Sequence, residues 1–126
     1  MSITEGRGNA LREIGLAAMD AQYPNLIISQ FSDNFRYSGT IQKIELYRPV
    51  LILIPHTFNN SVNRSKLLNS IESYYKNIPM CYIHRRHFND TEAMELINEL
   101  CSPKSENIRH IIVKKFVDFI FIIIIV

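Results

Sequence analysis

The chain is short of the residues that usually announce a function. Among 126 residues there are only two cysteines, four glycines and five prolines. Two thiols, Cys81 and Cys101, are too few for the disulfide framework of a small secreted domain. With so little glycine, no loop can wrap a phosphate as a P-loop or a dinucleotide fingerprint does. Gly6 and Gly8, in GRGN, sit near the start and follow no expected strand. No charge sign dominates either: 14 Lys and Arg stand against 12 Asp and Glu, a net charge of +2. That excess is far below what gives nucleic-acid affinity from charge alone.

Long apolar runs are also missing. The last eleven residues, FVDFIFIIIIV, are apolar apart from Asp118, whereas a membrane-spanning helix needs about 20 such residues. Its β-branched composition suits a covered strand, although an abrupt apolar stop is also what a chain cut short of a longer relative would show. The polar start MSITEGRGN lacks the pattern of a secretory signal. A cytoplasmic location is therefore expected, with no membrane span and with the sequons at Asn59, Asn63 and Asn89 unused.

What is present is an ordinary globular composition, 47% hydrophobic and 21% charged, at a length suited to a single domain over 1-126. Leu11, Ile14, Ala18 and Ala21 fall at helical spacing and predict a helix over Asn9 to Gln22. Leu26 to Phe31 suits a strand, followed by the turn residues SDN. Partial alternation from Phe35 to Tyr47 suggests a half-exposed strand. VLILI, Val50 to Ile54, is the strongest strand signal. Leu67, Leu68, Ile71, Tyr74 and Tyr75 make one face of a helix over Ser65 to Lys76, capped by Asn63 or Ser65. Met80 to His84 reads as a strand. Ala93, Met94, Ile97, Leu100 and Cys101 read as a second helix opened by a capping box from Asn89 to Glu92.

Strands alternating with helices predict the α/β class. The expected architecture is a small three-layer domain with a mostly parallel sheet and flanking helices, including an antiparallel hairpin portion near residues 26-47. The opening helix would cover the second face. Ligands of such sheets gather outside the carboxyl ends of the strands. His56, Asn59 and Asn60 leave one strand end, and Arg85, Arg86 and His87 leave the next. Arginine offers a bidentate fork for phosphate or carboxylate, and histidine titrates near neutral pH. These six residues form the candidate ligand-binding site.

Other chemistries find less support. Cys81, His84 and His87 have zinc-type donors, but a strand sends Cys81 and His84 to opposite faces, so no metal is expected and both thiols read as buried. No nucleophile elbow is present. Glu92, Glu95 and Glu99 are spaced as a solvated helix face. Basic and aromatic residues interleave at FRYSG, YYK and HRRHF, yet Tyr74 and Tyr75 read as core, which argues against nucleic acid as a partner. The sequence thus points to a binding or regulatory module acting through a protein partner, without a cofactor. An anionic ligand and self-association remain compatible with it. Two alternatives stand beside that reading: an enzyme acting on an anionic small molecule, and an RNA- or DNA-binding accessory protein. No family is suggested by its motifs.

Overall fold

The computed structural model describes residues 1–20, 25–88, 91, 92 and 95. Its central element is a strand that polar residues disguise. Ser2–Glu5, SITE, forms β1, with all four residues buried. It is followed by β2 (Glu13–Met19), β3 (Leu26–Ser32), α1 (Ser38–Tyr47), β4 (Ile52–Pro55), α2 (Lys66–Tyr74) and β5 (Met80–Ile83). The sheet runs in the order β3-β2-β1-β4-β5. β1 pairs antiparallel with β2 and β2 antiparallel with β3, whereas β1 with β4 and β4 with β5 are parallel. The domain is thus a small mixed α/β unit in which antiparallel pairing predominates, and the mostly parallel sheet is corrected. The antiparallel portion lies over residues 2–32, not 26–47.

The expected helix over Asn9 to Gln22 is replaced by a 3-10 turn at Gly8–Ala10 and by β2, with residues 21 and 22 outside the described set. Ile14, Leu16 and Ala18 satisfy strand alternation as well as Leu11, Ile14 and Ala18 satisfy helical spacing. The ladders offered by β1 and β3 on either side decide between them, overriding the helix preference of Ala and Leu. Conversely, the strand expected from Phe35 to Tyr47 is α1. Tyr37, Thr40 and Ile44 are buried at helical spacing, and polar residues upstream supply its start. Asp33 accepts hydrogen bonds from the Gly39 amide (3.0 Å), the Thr40 amide (2.7 Å) and the Thr40 hydroxyl (2.7 Å), and Asn34 Oδ1 accepts from the Arg36 amide at 2.9 Å.

α2 lies where the apolar spacing puts it. Ser65 caps it by accepting from the Leu68 amide at 3.5 Å, and Leu67, Leu68 and Ile71 are buried. Tyr74, read as core, is instead 67% exposed, and Cys81 on β5 is exposed rather than buried. Strands β3, β4 and β5 correspond to apolar runs, although Val50 precedes β4 and is exposed. The apolar face of the second helix, Ala93, Met94, Ile97, Leu100 and Cys101, its capping residue Asn89 and the strand over 116–126 lie outside the described residues.

Both helices pack on one face of the sheet. The crossovers from β3 to β4 and from β4 to β5 advance in the same direction, so right-handed connections put α1 and α2 side by side. The Tyr75 hydroxyl donates to Ile41 O at 3.1 Å, and the Ser70 hydroxyl donates to Arg36 O at 3.1 Å. Between helices and sheet lie Ile3, Ile14, Leu16, Ile44, Ile52, Ile54, Leu68 and Ile71, all essentially solvent-free. The described residues therefore make two layers, and the opening helix that would have built a third is β2.

Asp33 concentrates the start of α1 in one side chain. Partial burial works against its charge, but the hydrogen bonds from Thr40, Gly39 and Asn34 outweigh that and hold its carboxyl below the ordinary value. A depressed carboxylate stabilises the fold above its unfolded pKa of about 3.9 and loses that contribution as pH falls through the folded value. Asp33→Ala should cost about 1 kcal/mol at neutral pH, as loss of a helix cap does. Chemical denaturation should show the gap between parent and variant narrowing as pH falls below the ordinary aspartate value of about 3.9.

Candidate functional site

β1, β4 and β5 run parallel, so their carboxyl ends open on one edge of the sheet. Three short segments leave that edge: Gly6 and Arg7 after β1, the 3-10 turn His56–Asn59 after β4, and the 3-10 turn Arg85–His87 after β5. Pro55 pairs with Ile83 in register, which places the residues that follow them, His56 and His84, side by side. Their rings stack with centroids 4.7 Å apart and planes inclined by 22°.

The two imidazoles have different hydrogen-bond roles. His56 Nδ1 lies 3.3 Å from Ile83 O, and since a carbonyl only accepts, that nitrogen carries a proton. His84 Nδ1 accepts from the Arg86 amide at 3.3 Å and so caps the turn it precedes. Loss of solvation and then the charges of His56, Arg86 and His87 lower the pKa of His84 below the ordinary histidine value. Every charge acting on it has the same sign. Beyond it, Arg86 Nε donates to His87 Nε2 at 3.2 Å.

Arg7 completes the cluster. Its Nη2 donates to Thr57 Oγ1 at 3.4 Å, tying the segment after β1 to the one after β4. Burial, and after it the charge of Arg7, pulls Arg85 below the usual arginine value. Arg85 Nη1 is buried without a hydrogen-bond partner. The carboxylate nearest in sequence, Glu5 at the end of β1, points into the core. There its Oε1 accepts from the Tyr37 hydroxyl at 2.8 Å and the Arg12 amide at 3.0 Å. Burial, followed by the hydrogen bond and charge of Glu5, pushes the Tyr37 hydroxyl up beyond the ordinary tyrosine range.

Of the six candidate residues, His56, Arg85, Arg86 and His87 thus meet at one edge. Asn59 and Asn60 are engaged elsewhere. Asn59 Oδ1 accepts from Arg64 Nε at 3.2 Å and Asn60 Oδ1 from the Val62 amide at 3.0 Å. Arg64 also makes two 2.6 Å contacts with the Glu72 carboxylate, so Asn59 braces the loop onto α2 through Arg64, while Asn60 braces the loop internally. The candidate set lacked Arg7, Thr57 and His84. Arg7 was hidden because SITE did not read as a strand, and Gly6, which follows that strand, was set aside with it. Guanidinium and imidazole groups suit an anion. Among the described residues no cluster of three His, Cys, Asp or Glu side chains could hold a metal ion, and no helix is long and apolar enough to cross a membrane.

No family model matches the chain. Two curated proteins are similar to it over 101 residues covering 80% of its length: MutS protein homolog 4 of Homo sapiens, 38% identical, and MutS protein homolog 4 of Mus musculus, 36% identical. The chain spans 11% and 10% of these two relatives. This likeness to MutS homologues corrects two expectations. A regulatory module acting through protein contacts gives way, and so does the exclusion of nucleic acid. That exclusion rested on counting Tyr74 as core and on net charge, which says nothing of where charges collect.

Where Arg7 stands depends on Gly6. A Cβ at Gly6 would collide with Ala10 O and come within 2.7 Å of Ala10 Cβ, so only glycine lets the chain fold over its own turn. Gly6→Ala should cost about 1–3 kcal/mol, as overpacking does, measured as a lowered melting temperature, with the Arg7 side-chain resonance displaced in the same variant.

Proposed function

We propose that this chain is a DNA-binding, repair-related segment of MutS type, acting on duplex DNA as part of a longer assembly. The likeness to MutS protein homolog 4 carries the reading. The physical character of the strand-end edge supports it: three arginines and three histidines at the ends of three parallel strands, with Glu5 turned inward. A net charge of +2 spread evenly would attract no polyanion, but charges gathered within a Debye length of one another act together on a phosphate backbone. The compartment that follows is the one holding the DNA, in place of the cytoplasm that composition suggested.

Binding of a short duplex to the 126-residue chain, followed by fluorescence anisotropy over a range of salt concentrations, tests this. Affinity should fall linearly with salt on logarithmic axes, by about 0.9 in slope for each phosphate contacted. Affinity that is absent at low salt, or independent of salt, would overturn the reading.

A further inference from the structure

We propose that the edge formed by Arg7, His56, Thr57, His84 and Arg85 is a binding site for a backbone phosphate. The inference rests on the DNA-binding reading for the source of the phosphate, while the site itself rests on geometry.

Three observations carry it. First, the cluster is assembled by the fold from three separate segments. Residue 7 reaches residue 57 through a 3.4 Å hydrogen bond, and residue 56 stacks on residue 84 at 4.7 Å. Second, no counter-charge is seen against it among the described residues. The groups acting on His84 are His56, Arg86 and His87, and the one acting on Arg85 is Arg7. Glu5, at the end of the neighbouring strand, is occupied by Tyr37 and Arg12. Gathering like charges is unfavourable in the empty protein and becomes favourable once an anion sits among them. Third, Arg85 Nη1 is buried and lacks an acceptor, a defect that a phosphate oxygen would repair.

The hydrogen bonds orient the two rings. His56 Nδ1 is committed as a donor to Ile83 O. His84 Nδ1 accepts from the Arg86 amide, which leaves its Nε2–H as a donor for a phosphate oxygen. No covalent step is involved: the phosphate enters as an anion.

The test measures duplex affinity of the full chain at fixed ionic strength. Arg7→Gln/Arg85→Gln should lose about tenfold or more, as expected for two charge-assisted phosphate contacts, and Arg7→Lys/Arg85→Lys should recover part of that loss. If the parent binds DNA but the arginine pair does not alter its affinity, this site is wrong and the DNA reading stands. If the parent does not bind DNA, the DNA reading falls, and inorganic phosphate alone decides the site. Phosphate-induced NMR shifts at the Arg85 Nε–H and the His56 ring would then support it, and their absence would overturn it.

Discussion

The pairing of β1 with β4 is the joint on which this fold turns. On one side of it lies an antiparallel meander, on the other a parallel crossover unit, and the two meet through Ser2 opposite Leu53 and the hydrogen bond from the Leu53 amide to Met1 O at 2.8 Å. Ile3 seals the joint from the core side, between Ile14 and Leu16 on one strand and Ile52 and Ile54 on the other, all buried. Because β1 runs parallel to β4, its carboxyl end opens on the same edge as those of β4 and β5. Had it run the other way, Arg7 would leave the opposite edge and could not reach Thr57. Strand direction at one interface therefore decides whether three loops make a cluster or scatter.

A second constraint determines the sign of that cluster. Glu5 is the last residue of β1, and alternation along the strand aims it to the helical side, where Tyr37 waits at the start of α1 with its hydroxyl 2.8 Å away. A carboxylate in that position needs donors, since an ion removed from water without partners is costly. The Tyr37 hydroxyl and the Arg12 amide provide them, and Arg12 takes a left-handed backbone conformation, φ 71°, at the turn that presents its amide. The outcome is a core hydrogen-bond network that ties the meander to α1 and leaves the guanidiniums outside without their nearest acid.

How much of this could be read from the sequence follows from which signals are local. Val50 to Ile54 is an apolar run bounded by prolines, Met80 to Ile83 is one preceded by Pro79, and Ser65 to Tyr75 has a cap and a clear apolar stripe, so β4, α2 and β5 emerged near their true places. Their parallel order brought His56 and Arg85 together as expected from strands joined by a helix. β1 and β2 did not emerge, because SITE is polar at three of four positions and its burial comes only from neighbours on both sides. EIGLAAM is rich in helix formers and becomes a strand through pairing. α1 was obscured for a different reason: its start is fixed by Asp33 and Asn34, five and four residues before Ser38, outside the capping-box spacing. Arg7 and Glu5 were lost together with β1, so the site appeared as two loops when it is three.

Net charge also misled in a way that has a physical explanation. A count of ionisable residues averages over the surface, whereas the potential felt by a phosphate falls off over about 8–10 Å at moderate salt. The strand-end edge contributes Arg7, Arg85, Arg86 and three imidazoles, while Glu5 is tied to Tyr37, Asp33 to the start of α1 and Glu72 to Arg64. Each of those carboxylates serves the fold. The near-neutral total thus includes acids committed to the fold and bases gathered at the strand-end edge, set apart by the same strands that build the core. On the DNA-binding reading proposed above, that separation would let a weakly charged protein address a strongly charged polymer at one defined place.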